Sequence, residues 1–131
     1  MEDLTNLKIK QLKHETSTWK RILHFMQEEN IHLKNRLSDV LKDSFDKKML
    51  ADIEVFQNNF IKEDELIILL KNELAEIENS LQHNIFNEGE IENSIDWKIK
   101  KLRTNIENAE KDFSKTTNDF NMYHCYKFSD K

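Results

Sequence analysis

The chain has no proline and a single glycine in 131 residues, and this shortage of helix-breaking residues is the strongest constraint on its fold. Proline and glycine end helices and form the tight turns that join strands. A β-rich or α/β chain of this length would need several of each. The sequence therefore predicts long helices with few connections.

Apolar residues recur with alternating steps of three and four, which is the heptad pattern of helices that pack along one stripe. The pattern forms three separate seams. The first seam comprises Ile9, Leu12, Thr16, Trp19, Leu23, Met26, Asn30, Leu33, Leu37 and Val40. The second comprises Met49, Ile53, Phe56, Phe60, Glu63, Ile67, Leu70, Leu74, Ile77 and Leu81. The third comprises Ile95, Ile99, Leu102, Ile106, Ala109, Phe113, Thr116, Phe120 and Tyr123.

The seams are out of phase with one another, which predicts a break between successive helices. The first break falls near Asp43, Ser44 and Asp46, residue types that favour helix caps and turns. The second falls within residues 84–90 and contains Gly89.

Short connections make neighbouring helices antiparallel. We therefore predict an all-α fold, an elongated three-helix antiparallel coiled-coil bundle with helices at residues 4–42, 47–83 and 90–124. No repeat or linker marks a second domain, so residues 1–131 are expected to form one. Residues 122–131 are rich in aromatic side chains and could form a C-terminal tail or cap.

Two polar residues interrupt the first two seams at one predicted level. Folding about a centre between Asp46 and Lys47 places Asn30 opposite Glu63. A buried carboxylate can act as an acid or base, but polar residues in a seam more often fix the alignment of the helices. Asn30 and Glu63 are predicted to form such a polar core layer, with a raised carboxyl pKa at Glu63.

The alignment of the third helix follows from the second break. A centre near Phe86 and Asn87 makes this helix antiparallel to the second. It places Ala109 beside Glu63 and puts Phe113 in one layer with Phe60 and Leu33.

A group of histidines and carboxylates on the first helix resembles a metal-binding pattern. His24, Glu28 and His32 are spaced i, i+4, i+8 and share one helix face, and Glu29 with His32 forms a Glu-x-x-His pair. A di-iron bundle needs two such pairs, and only one occurs. The face also lies away from the seam, where solvent exposure explains it. Metal binding is therefore an alternative, and no cofactor is expected.

Net charge and composition argue against nucleic-acid binding and against insertion in a membrane. The formal net charge is -5, which disfavours binding to nucleic acid. A basic cluster beside Trp97 nevertheless leaves weak binding to nucleic acid or to a membrane surface as a further alternative. The cluster consists of Lys98, Lys100, Lys101 and Arg103. The acidic second helix offers these basic residues a simpler partner.

No apolar run approaches a membrane span. The N-terminus lacks the apolar core of a signal peptide, and the only cysteine, Cys125, leaves no intrachain disulfide, so a cytoplasmic location is expected.

Several large apolar residues lie outside the three seams. A surface helix normally has one apolar stripe and a polar back, so extra apolar residues on the back indicate association. The predicted partner-binding surface consists of Phe25, Ile31, Ile61, Ile68 and Leu69. The expected function is therefore a non-enzymatic interaction or scaffold protein. Its expected partner is another copy, in a dimer or higher oligomer, or another helical protein.

Overall fold

In the computed structural model, the described residues form three long helices and one short pair of strands. Helix α1 spans Leu4–Asp43, α2 spans Lys47–Gln82 and α3 spans Asn93–Phe128, while β1 (Phe86–Asn87) and β2 (Glu90–Ile91) lie between α2 and α3. The structure describes residues 4–43, 47–82, 86–87, 90–91 and 93–128. The fold is the predicted all-α three-helix bundle, and α1 is about 60 Å long at about 1.5 Å per residue.

The three seams form the core. Every residue of the first seam, from Ile9 to Val40, is buried. Met49 and Phe56 of the second seam and Thr116 and Tyr123 of the third are half-buried, and the other seam residues are buried. Burial of these stripes stabilises helices that have no internal breaker but too few apolar residues to be stable alone.

Polar pairs along the outer edge of the contact hold α1 and α2 antiparallel. Lys20 contacts Glu78 at 3.8 Å. Two closer hydrogen-bonded pairs follow along the contact, joining Gln27 to Lys71 and Lys34 to Asp64. As the residue number rises on α1 it falls on α2, which is the predicted direction of packing.

Helix α3 runs parallel to α1 and is joined to it by two arginines. Arg103 donates to both carboxylate oxygens of Glu15, at 2.6 and 3.2 Å. Arg36 donates to the side-chain oxygen of Asn121 at 2.7 Å, and its guanidinium lies 5.3 Å from the centre of the Phe120 ring. The planar, two-pronged contact of Arg103 fixes geometry better than a single point charge would.

The alignment of α3 differs from the prediction. The Phe60 ring packs against Phe120, with centroids 5.4 Å apart, rather than against Phe113. The reason lies in the connection, where Phe86 pairs with Ile91 and Asn87 pairs with Glu90. The centre of this hairpin therefore lies between residues 88 and 89 rather than near residues 86–87, which moves each pairing by about one helical turn.

The helix boundaries also need correction at α3. It begins at Asn93 rather than at residue 90, because Glu90 and Ile91 belong to β2, and it continues to Phe128 rather than stopping at residue 124. Most of the proposed tail at residues 122–131 is therefore helical. The predicted break residues Ser44, Asp46 and Gly89 lie outside the described residues.

Adjacent leucines on α2 provide a matched test of the core. Leu70 is 1% exposed and Leu69 is 53% exposed. Leu70→Ala is expected to lower the free energy of unfolding by about 2–5 kcal/mol through lost burial and a cavity, whereas Leu69→Ala should change it by about 0.5 kcal/mol or less. Denaturant unfolding of the two variants measures both values, and equal losses would contradict the assigned core face.

Candidate functional site

Asn30 is a fully buried polar residue that joins α1 to α2. Its amide nitrogen donates to the backbone carbonyl of Phe60 at 2.9 Å and to a carboxylate oxygen of Asp64 at 2.7 Å. The other oxygen of Asp64 accepts from Lys34. Both amide hydrogens are thus used on the turn of α2 that contains Glu63.

Glu63 is a buried carboxyl group, 8% exposed, on that same turn. Burial raises its pKa above the ordinary value of 4.5, and the nearby carboxylate of Asp112 on α3 raises it further by repulsion. Asp112 lies one turn beyond Ala109, the residue that the sequence placed beside Glu63. The environment of Glu63 therefore favours its neutral form.

The buried layer contains oxygen atoms that accept no hydrogen bond from the part of the chain that the structure describes. They are Oδ1 of Asn30 and Oε2 of Glu63. An ionised Glu63 cannot satisfy the oxygen of Asn30, since both are acceptors. A proton on Glu63 supplies a donor that the ionised carboxylate lacks.

The residues of the metal-like pattern lie on the outer surface of α1. His24 and Glu28 contact each other at 3.2 Å, and their side chains are 64% and 61% exposed. His32 is also exposed, and Glu29 is half-buried. Within the described ranges, no group of three or more His, Cys, Asp or Glu side chains is arranged to hold a metal ion.

The basic residues 98–103 are compensated by neighbours within the bundle. Lys98 and Lys101 line a groove with Glu73 and Glu76 of α2. The remaining contacts are Lys100 with Asp96 at 3.0 Å, Arg103 with Glu15 at 2.6 Å, and Lys101 with the Trp97 ring at 4.9 Å. These contacts lower the positive charge that the cluster presents to an external anion.

All five residues of the predicted partner-binding surface are exposed. The exposed fractions are 63% for Phe25, 46% for Ile31, 45% for Ile61, and 53% for both Ile68 and Leu69. Single exposed apolar residues are normal on a protein surface, so the informative question is whether these five form one contiguous patch.

Ile31 and Ile68 lie on the outer side of the contact between α1 and α2. Two hydrogen-bonded pairs join the helices at this contact, Gln27 with Lys71 and Lys34 with Asp64. Ile31 lies one turn from the α1 member of each pair, and Ile68 lies one turn from the α2 member of each pair. Both isoleucines therefore lie along the same groove between the helices.

Phe25 and Ile61 extend this patch in the two directions along the groove. Ile61 lies one turn before Asp64. Phe25 projects about 120° away from Ile31 around α1 and lies at the edge of this patch. It lines the groove with Leu74 and Ala75 of α2, and it also lines the neighbouring groove with Glu110 and Phe113 of α3. Phe25, Ile31, Ile61 and Ile68 form what we call the α1–α2 face.

Leu69 lies on a different side of α2. It is one turn before Glu73, which lines the groove shared with Trp97 and Lys98 of α3. Adjacent helical residues project about 100° apart, so Leu69 points toward the groove between α2 and α3 while Ile68 points toward the groove between α1 and α2. The structure thus places Ile31, Ile61 and Ile68 along the α1–α2 groove, Phe25 at the edge of that groove, and Leu69 on another side of the bundle.

Comparison with protein-family models, with curated proteins and with solved structures finds no match to this chain. Within the part of the chain that the structure describes, no helix is long and apolar enough to cross a membrane.

Sequence reasoning missed Asp64, which accepts hydrogen bonds from both Asn30 and Lys34. It stands beside the seam rather than in it, so the heptad pattern did not mark it. A usable signal was its position next to Glu63, opposite the only polar amide of the first seam. Flanking positions often carry the polar groups that satisfy a buried side chain.

The raised pKa of Glu63 predicts a specific dependence of stability on pH. Because the folded pKa lies above the unfolded value, the group favours folding at low pH, and this contribution is lost as pH rises through the folded pKa. Relative to Glu63→Gln, which does not titrate, the wild type should become progressively less stable above about pH 4.5.

Denaturant unfolding between about pH 4 and pH 8 measures this difference. Glu65→Gln, a charge removal at an exposed position on the same helix, is the control for the general effect of lost charge. A wild type that gains stability relative to Glu63→Gln as pH rises would show that a cation or solvent stabilises the ionised carboxylate.

Replacing the whole polar layer tests its role in alignment. Asn30→Leu combined with Glu63→Leu should stabilise the bundle near neutral pH, because apolar packing often exceeds a buried polar layer in stability. The expected cost is mixed alignment or mixed oligomers. Melting curves and light scattering measure the two effects, and a destabilised variant of uniform mass would contradict this assignment.

Proposed function

We propose that this protein is a non-enzymatic interaction protein that binds a helical partner through the α1–α2 face. The observation that supports this most directly is the grouping of Ile31, Ile61 and Ile68 along one groove, with Phe25 at its edge. A bundle that needed only to remain folded would carry polar residues at these outer positions.

The chemistry of the face suits a helix better than a small molecule or an extended peptide. Its apolar side chains are spaced one to two turns apart along two parallel ridges with a groove between them. An amphipathic helix docks in such a groove by placing its own apolar residues between the ridges. The polar pairs between α1 and α2 already use their hydrogen-bonding groups within the chain.

The two alternative functions receive less support. In the basic cluster, Lys100 pairs with Asp96 and Arg103 pairs with Glu15, and the other two lysines share a groove with Glu73 and Glu76. These neighbours weaken the case for an anionic surface or nucleic acid. The histidine and carboxylate face has no arrangement of three ligands among the described residues. The apolar face remains the most economical basis for a function.

The first partner to test is a second copy. Light scattering of the wild type is expected to give at least a dimer, because each copy presents the same apolar face. Ile61→Lys combined with Ile68→Lys should lower the mass to that of a monomer, since two charges would be buried in the interface.

A matched control lies on the same helix. Val55→Lys combined with Leu69→Lys makes the same chemical change at two exposed apolar residues outside the α1–α2 face. This variant should keep the wild-type mass, and circular dichroism should show equal helix content in both variants. Equal loss of association in both would show that the contact is not confined to the α1–α2 face.

A further inference from the structure

Phe25 projects from α1 beside an apolar recess on the same surface. It is 63% exposed, although phenylalanine is among the residues most often buried. The recess lies between α1 and α2, where Leu74 and Ala75 contribute the apolar wall and His24 stands at the edge. A protruding ring and a recess that could accept a ring therefore lie within one turn of each other.

Charges of opposite sign flank Phe25 along α1. Arg21 lies one turn before Phe25 and Glu28 lies about one turn after it, and both line the recess. Among the described residues no carboxylate pairs with Arg21, while Glu28 contacts only the exposed His24. The order along the helix is thus positive, aromatic, negative.

This order of charges along α1 is complementary to the same order on a second α1 that runs in the opposite direction. A two-fold axis that is perpendicular to α1 and passes beside it, level with the midpoint between His24 and Phe25, places residue 21 of one copy opposite residue 28 of the other. Each Arg21 then meets Glu28 of the other copy, and each Phe25 meets His24 of the other copy, which lines that copy's recess. Interfaces with two-fold symmetry require this property, since one patch must fit its own rotated image.

We propose that a second copy of this chain docks with its α1 antiparallel across the first, with each Phe25 in the recess of the other copy and two reciprocal Arg21–Glu28 ion pairs. This inference rests on the proposed function and specifies its partner and orientation. Aromatic and arginine side chains at the centre of a contact carry much of the binding energy in interfaces of this type.

Charge reversal tests the symmetry directly. Arg21→Glu places two glutamates opposite each other in both halves of the contact, and Glu28→Arg places two arginines there. Each single variant should weaken dimerisation by about tenfold or more, because like charges replace both attractive pairs. Light scattering over a range of concentrations measures this change.

Mixing the two variants provides the decisive measurement. A chain with Arg21→Glu and a chain with Glu28→Arg have complementary charges at both ends of the contact, so their mixture should form a dimer of two different chains. One chain carrying both substitutions should also regain its own dimer. Lys111→Glu, an exposed charge reversal on α3, should leave association unchanged.

The outcomes separate this inference from the proposed function. The double variant Ile61→Lys with Ile68→Lys could abolish association while each single charge variant dimerises as the wild type does. That result would show that the proposed orientation is wrong and that association still uses the α1–α2 face. A mixture that stays monomeric while both single variants are monomeric would also overturn the reciprocal pairs. A wild type that is monomeric at high concentration overturns the second copy as the occupant, and the face would then require a different helical protein.

Discussion

Both hydrogens of the Asn30 amide are donated to α2, and the arrangement of α1 against α2 depends on this contact. A slide of one heptad would keep apolar residues facing apolar residues, so the seams alone permit several alignments. The slide would leave a buried amide and the Asp64 carboxylate without their partners. Unsatisfied buried polar groups cost enough free energy to select one alignment from that set.

The same contact determines what the outer surface looks like. Ile31 follows Asn30 in sequence, and Ile61 follows Phe60, whose carbonyl accepts from Asn30. A buried bond that brings Asn30 to Phe60 therefore also brings these two exposed isoleucines to the same stretch of the bundle. The alignment of the core and the composition of the α1–α2 face are consequences of one interaction.

Periodicity predicted the helices and the core because burial along a helix is a local, repeating property. It also predicted the level of Asn30 against α2, since the first connection is short and leaves little freedom. It failed for Phe60 and Phe120 because α3 follows a connection in which residues 86–87 pair with 90–91. Such pairing depends on backbone contacts within a few residues and leaves no mark on a heptad pattern. The separation of Ile68 from Leu69 likewise required knowing which residues of α2 point toward α1.

The parallel direction of α1 and α3 has an electrostatic consequence. Each helix carries partial charges of about half an elementary charge at its ends, positive at the N-terminus and negative at the C-terminus. In this bundle the dipole of α2 cancels the dipole of only one of the two parallel helices, α1 and α3. The dipole of the other parallel helix is not cancelled within the chain. A second copy lying antiparallel would carry a net dipole in the opposite direction. Two three-helix bundles together would therefore cancel their axial dipoles, as a bundle with an even number of helices does within one chain.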